Sequence, residues 1–166
     1  MTTQDDLAAA FAGESQANRK YLAFADAAAK EGFPGVAKLF RAVAEAETVH
    51  AHAHLRAMGG VKATADNLRE AIEGERHEFE EMYPAFVATA EAEGARAALL
   101  SLKHAMEVEK IHHGLFQAAL AAVAAGKDLA AETVWICPHC GHTVIGDHPD
   151  SCPVCKARGD RYVTVA

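Results

Sequence analysis

No run of about 18 uncharged apolar residues occurs in the chain, which leaves nothing to form a membrane-spanning helix. Lysines and arginines form no cluster and the net charge is -7, so an anionic partner such as nucleic acid or a lipid surface has no electrostatic basis. No G-x-G-x-x-G is present, which excludes a dinucleotide site of the Rossmann type. Proline is nearly missing between residues 5 and 125, where Pro34 suits a helix start and only Pro84 falls inside a helical stretch. Cysteine is missing altogether before residue 137. The first residues, MTTQDDLAAAFAG, are acidic and lack a basic segment followed by an apolar one, so they do not resemble a secretory leader and a cytoplasmic location is expected.

What is present is alanine in abundance, the best helix former, within 166 residues of which 51% are hydrophobic. The pattern predicts four helices. The first spans about 5–31 and closes at Gly32; the second runs from Pro34 to Met58. After a polar connection at 59–66, a third starts behind Asp66 as N-cap and ends at Gly94, bent by Pro84. The fourth covers about 95–125 and stops at Gly126. From Thr133 the composition shifts to β-branched residues, Pro, Gly and Cys, which divides the chain into 1–132 and a small domain at 133–166.

The first 132 residues contain a repeat. YLAFADAAAKEG at 21–32 aligns with YPAFVATAEAEG at 83–94, and the same offset carries Glu47-x-x-His50 onto Glu109-x-x-His112. Upstream the offset slips by one residue, and Gly13-Glu14 then matches Gly74-Glu75. Residues three apart on a helix share a face, so each half presents one Glu from its first helix and a Glu–His pair from its second. Packed together, the halves would converge four carboxylates and two imidazoles, the pattern of di-iron and di-manganese bundles. The carboxylates offset the mutual repulsion of two cations in a poorly screened interior. Any one of these residues alone would be read as a solvated surface group; in register, the set points to a metal site.

Tyr21 and Tyr83 follow the Gly-Glu carboxylates by about two turns, which suits either a core tyrosine with a satisfied hydroxyl or a hydrogen-bonding neighbour of the metals. Glu45 and Glu107 are expected to face elsewhere, and His54 to lie at a core boundary. His52, His77, His104 and His113 have no spacing that recommends them and are expected at the surface.

The four cysteines form two knuckles, Cys137-Pro-His-Cys140-Gly and Cys152-Pro-Val-Cys155. Such a set binds iron or zinc tetrahedrally, and spacing does not choose between them. Trp135, Ile136 and Tyr162 are expected to build a miniature core, with His139, His142 and His148 outside it.

GESQANRKY, EAETVH, GERHEFEEMYPAF and EVEKIH, followed by CPHCG and CPVC, resemble the rubrerythrin family over essentially the whole chain. The resemblance implies an all-α ferritin-like four-helix bundle with a rubredoxin-like domain of short β-strands. It implies two irons held by Glu14, Glu47, His50, Glu75, Glu109 and His112, and a third iron on Cys137, Cys140, Cys152 and Cys155. It also makes Glu78 a seventh ligand, toward which one iron moves from His50 as the oxidation state changes; its counterpart in the first half is Ala17. The tyrosines would then lie close to the metals. The implied activity is reduction of hydrogen peroxide to water, with electrons drawn from a reduced pyridine nucleotide, NAD(P)H, through a separate rubredoxin reductase or rubredoxin. The resemblance further implies a homodimer in which the module of one chain serves the di-iron site of the other. Two other readings compete: a ferroxidase or iron-storage protein of the ferritin type, and a non-enzymatic binding protein with a zinc ribbon. Neither storage nor a ribbon requires both Glu78 and the cysteine module.

Overall fold

The computed structural model describes residues 2–130 and 133–165. The chain forms two compact units, Met1–Lys62 and Ala63–Ala166. The boundary expected after residue 132 falls at residues 131 and 132, outside the described residues.

The first unit is a helical hairpin of α1 (Thr3–Lys30) and α2 (Pro34–Ala57). Thr2 opens α1 with a reciprocal cap: the Asp5 amide donates to Thr2 Oγ1 at 3.2 Å and the Thr2 amide to the Asp5 carboxylate at 2.6 Å. The hairpin turns at Gly32, whose φ of +87° lets the Phe33 amide reach back to the Ala28 carbonyl at 2.8 Å. Its seam is made of small residues. Ala25 and Ala28 on α1 and Ala37, Ala44 and Ala51 on α2 are buried, the last three at heptad intervals. One polar clamp crosses the seam: buried Asn18 donates to the Ala44 carbonyl at 2.7 Å and lies 2.8 Å from Thr48 Oγ1.

In the second unit the third helix of the sequence pattern is divided. α3 (Thr64–His77) passes into a π-helical turn (Glu78–Met82) and then α4 (Tyr83–Ala92), which packs with α5 (Arg96–Ala124). Pro84 therefore stands at the start of α4, where its missing N–H costs little, rather than inside a helix that it bends. The π turn also accounts for the one-residue slip in the repeat, since a π turn accommodates one extra residue without breaking the rod. Ala63, not Asp66, occupies the α3 cap; Asp66 lies within the first turn, where a carboxylate favours the helix dipole, and pairs with Arg69 at 2.6 Å.

The cysteine module belongs to this unit. Strands β1 (Val134–Ile136), β2 (Thr143–Ile145) and β3 (Val163–Thr164) form an antiparallel sheet in the order β2-β1-β3, with Trp135 opposite Val144 and Ile136 opposite Val163. Its core is Cys137, Cys152 and Tyr162, with Trp135, Cys140, Val144, Val154, Cys155 and Ala157 packed around them. Ile136 is not among them, because the residue next to Trp135 on a strand faces the other side of the sheet.

Candidate metal centres

Two helices of the first unit bring Glu14, Glu47 and His50 together, with one potential ligand atom from each within 4.8 Å of the others. His50 Nδ1 lies 3.0 Å from Glu47 and 3.9 Å from Glu14. The His50 side chain is 56% exposed, and its Nε2 has no hydrogen-bond partner among the described residues. Asn18, one turn beyond Glu14, fixes the register of α1 against the Ala44–Thr48 stretch that precedes His50. Sequence reasoning passed over Asn18; the repeat offered no hint, since its counterpart at the slipped offset is Phe79.

The second unit repeats the triplet with Glu75, Glu109 and His112. Here the imidazole is held at both nitrogens. Nδ1 lies 2.7 Å from Glu109 and 4.0 Å from Glu75, while Nε2 lies 3.3 Å from the Gly141 carbonyl and 3.1 Å from Thr143 Oγ1. Thr143 itself donates to the Gly141 carbonyl at 3.0 Å, so its oxygen is left to accept. A proton on Nε2 is therefore favoured, which leaves Nδ1 as the donor atom facing the carboxylates. The charges follow this geometry. Burial, then a hydrogen bond and like charge from Glu109, pushes the Glu75 carboxyl up to about 7. The bond to Glu109, opposed by burial, raises His112 above the usual imidazole range.

Glu78 opens the π turn and is half-buried. Burial and then the charge of Glu109 raise its pKa, so it lies within electrostatic reach of this triplet without joining its tight cluster. Tyr83, which follows the turn, is raised by burial and by Glu109, Glu78 and Glu75 in that order. Tyr21 packs among Phe24 and Phe40, with ring centres 6.3 and 6.1 Å away.

Other expectations need correcting. His104 and His113 are half-buried, the first facing the His139 ring and the second set edge-on against Phe79. His52, His77, Glu45 and Glu107 are exposed and His54 half-buried, as expected. In the module His139 is exposed, but His142 is buried, within 2.7 Å of the Tyr162 hydroxyl, and His148 is half-buried between Trp135 and Tyr162. Aromatic neighbours draw in imidazoles that composition alone would leave in water.

The four sulfurs face one another. Cys137 and Cys155 are 3.6 Å apart, as are Cys140 and Cys152. Metal–sulfur bonds of about 2.3 Å in a tetrahedron place sulfurs roughly 3.8 Å apart, so one iron fits with little movement. Each knuckle turns through a left-handed residue directly after its second cysteine, at Gly141 with φ +87° and at Lys156 with φ +63°. Lys156 is the non-glycine exception among the described residues, and its ammonium group donates to the Pro153 carbonyl at 2.8 Å. Burial alone would raise the Cys152 thiol, yet hydrogen bonds from Tyr162 and from the Cys155 and Val154 amides bring it to about 6. A thiol so placed is readily given up as thiolate to a metal.

The expected placement of the module also changes. Through Gly141 and Thr143 it rests on His112 of its own chain, and Val108 lies 3.7 Å from where a Gly141 side chain would begin. The module is not held away from the carboxylate–histidine triplet of its own unit.

Donor chemistry suits iron in both places: carboxylates and imidazoles for a pair of ions, four thiolates for one. Comparison with known proteins agrees. Residues 5–120 match the Rubrerythrin family model and residues 135–163 the model of the rubrerythrin, rubredoxin-like domain. Rubrerythrin-2 of Clostridium acetobutylicum is 34% identical over 96% of this chain and 95% of its own length. Rubrerythrin of Porphyromonas gingivalis is 36% identical over 92% and 84%, and nigerythrin of Nitratidesulfovibrio vulgaris 34% identical over 97% and 85%. The solved structure of partially reduced nigerythrin matches 99% of this chain and 87% of that one, with a TM-score of 0.60 and 30% identity. Two carboxylate–histidine triplets for a pair of irons, and a four-cysteine site for a third, thus stand on a chain that belongs to the rubrerythrin family.

Proposed function

We propose that the protein is a peroxidase that reduces hydrogen peroxide to water, taking two electrons and two protons for each O–O bond broken. The observation that carries this reading is the contact of His112 Nε2 with the Gly141 carbonyl, beside Cys140. It gives a four-thiolate iron a short covalent and hydrogen-bonded route toward a ligand of the carboxylate site. An iron-storage protein has no use for such a relay, and a zinc ribbon carries no electrons.

Glu14, Glu47, His50, Glu75, Glu109 and His112 would hold the two irons, which supply one electron each to peroxide when bound. Glu78 would supply the additional carboxylate for the more oxidised state, and His50, whose imidazole is not fixed at its second nitrogen, would be the ligand it replaces. His112 stays in place, because Gly141 and Thr143 hold its Nε2. Tyr83 keeps its proton over the working range and donates a hydrogen bond at the site, with Tyr21 as its counterpart in the first half. Residues 1–132 house the peroxide chemistry and 133–166 return electrons singly, received from NAD(P)H by way of a separate reductase or rubredoxin. The working form is a homodimer.

Anaerobic peroxide consumption with a chemical or enzymatic donor tests this. Turnover should be catalytic in peroxide, and Glu78→Ala should keep its iron while losing at least about tenfold in rate. Oxygen consumed in fixed proportion to iron, without donor turnover, would instead make the protein a ferroxidase.

A further inference from the structure

We propose that Tyr162 sets the reduction potential of the four-cysteine iron by giving its hydroxyl proton to the Cys152 sulfur, with His142 holding the proton in that direction. The inference rests on the electron-relay reading above and names the residues that regulate the relay.

The knuckles supply donors of their own. The His142 amide donates to the Cys140 sulfur, the Val154 and Cys155 amides to Cys152, and the Ala157 amide to Cys155. These are backbone groups, set by the turn of each loop, so a change of side chain leaves them in place. Tyr162 differs from them. It stands beyond the second knuckle and reaches the Cys152 sulfur through a side-chain hydroxyl. One oxygen therefore decides whether that bond exists.

The hydroxyl is held where it is needed. Tyr162 is 6% exposed and shares the core of the module with Cys137 and Cys152. Its ring stacks on His148 at 10°, with centres 5.5 Å apart, and its amide donates to the Gly159 carbonyl at 3.0 Å. Its oxygen lies 2.7 Å from Nδ1 of buried His142. The His142 carbonyl in turn accepts from the Cys137 amide at 2.8 Å, which ties the imidazole to the first knuckle. A hydroxyl has a single proton, and Tyr162 faces two possible acceptors. Bound to a metal, the sulfur is a thiolate, and a hydrogen bond to a charged partner is roughly twice as strong as a neutral one. The proton goes to Cys152. His142 then carries a proton on Nδ1 and donates it to the Tyr162 oxygen, which strengthens the hydroxyl as a donor.

Four thiolates around iron hold one more negative charge when the metal is ferrous than when it is ferric. A proton shared with one sulfur favours the reduced form and raises the potential. The module then takes up an electron more readily and releases it less readily. Tyr162 thus sets the balance between filling the relay and emptying it toward His112, and His142 is its positioning residue.

Redox titration of the iron-loaded, full-length protein tests this. Tyr162→Phe should keep its iron, yet its ratio of reduced to oxidised iron at a fixed applied potential should fall at least about threefold, a drop of about 28 mV at roughly 59 mV per tenfold. Its sulfur-to-iron charge-transfer bands should move to longer wavelength. His142→Phe should shift the ratio the same way but less, and should add nothing in the Y162F background. With the proton on His142 instead, Tyr162→Phe would leave the potential unchanged and His142→Phe would raise it; either result overturns the proposal. One check needs no variant. In wild-type protein loaded with a spin-half cadmium isotope, nuclear magnetic resonance should show the Tyr162 hydroxyl proton coupled to the metal through sulfur, and absence of that coupling would overturn the bond. A wild-type module whose metal takes up no electron would instead overturn the relay reading, and this inference with it.

Discussion

Glu75 is the residue whose chemistry is most open to measurement. With no metal present, burial and then Glu109 hold its carboxyl up to about 7 instead of the usual 4.5. In that window the folded chain retains a proton the unfolded chain has released, so stability falls as pH rises from about 4.5 through 7. Metal-free Glu75→Gln should lose this dependence and melt roughly 3 °C or more above the metal-free wild type at pH 8, as thermal scans across pH would reveal. Iron reverses the slope, since ligands must release protons to bind it. The six ligands were legible in the sequence because duplication repeated them at a fixed offset. Asn18, Thr143 and His142 were not, because each acts through a partner distant in sequence: Ala44, His112 and Tyr162 respectively.

At the level of elements, helix positions were clear from glycine stops and alanine content, and the π turn was hidden in plain arithmetic. An offset that changes by one between Glu14/Glu75 and Tyr21/Tyr83 requires one extra residue in the second copy, and a helix absorbs one residue most cheaply as a wide turn. Deleting Glu80 should restore a continuous α-helix with α3 and α4 still in phase, as in the uninterrupted α1, so Glu75 keeps its place and only Glu78, at the turn itself, is re-aimed. We expect circular dichroism to show unchanged helicity and metal analysis to show iron retained at both sites, while peroxide turnover falls at least about tenfold. An unchanged rate in the deletion variant would mean that the turn merely stores an insertion. The misplaced Asp66 cap has a plain cause too: a favourable residue two positions into a helix looks the same in sequence as one that precedes it.

For the molecule as a whole, the two units differ in what holds them. The hairpin of α1 and α2 rests on an alanine seam and one buried asparagine, and contains no cysteine. The module has Cys137 and Cys152 at the centre of a very small core, so its folding and its metal are one equilibrium. Stripping metal with a strong chelator should abolish the Trp135 environment, read by fluorescence, while far-ultraviolet helicity stays within about a tenth of its starting value. Loss of helix in parallel would show that metal supports the helices as well. The small domain was legible as a metal module from its knuckles alone. Its seat on His112 was not, since no local pattern records that Gly141 and Thr143 meet α5.

The wide turn at Glu78–Met82 carries a consequence for how such a protein can change over time. A gene duplication yields twin hairpins, and twins are bound to the same task. One inserted codon, taken up inside a rod instead of a loop, leaves every neighbouring ligand in its helix yet sets one twin's Glu78, which is Ala17 in the other, on a wider turn. Inequality between the twins then needs neither a new element nor a new fold, only a single added residue and one substitution.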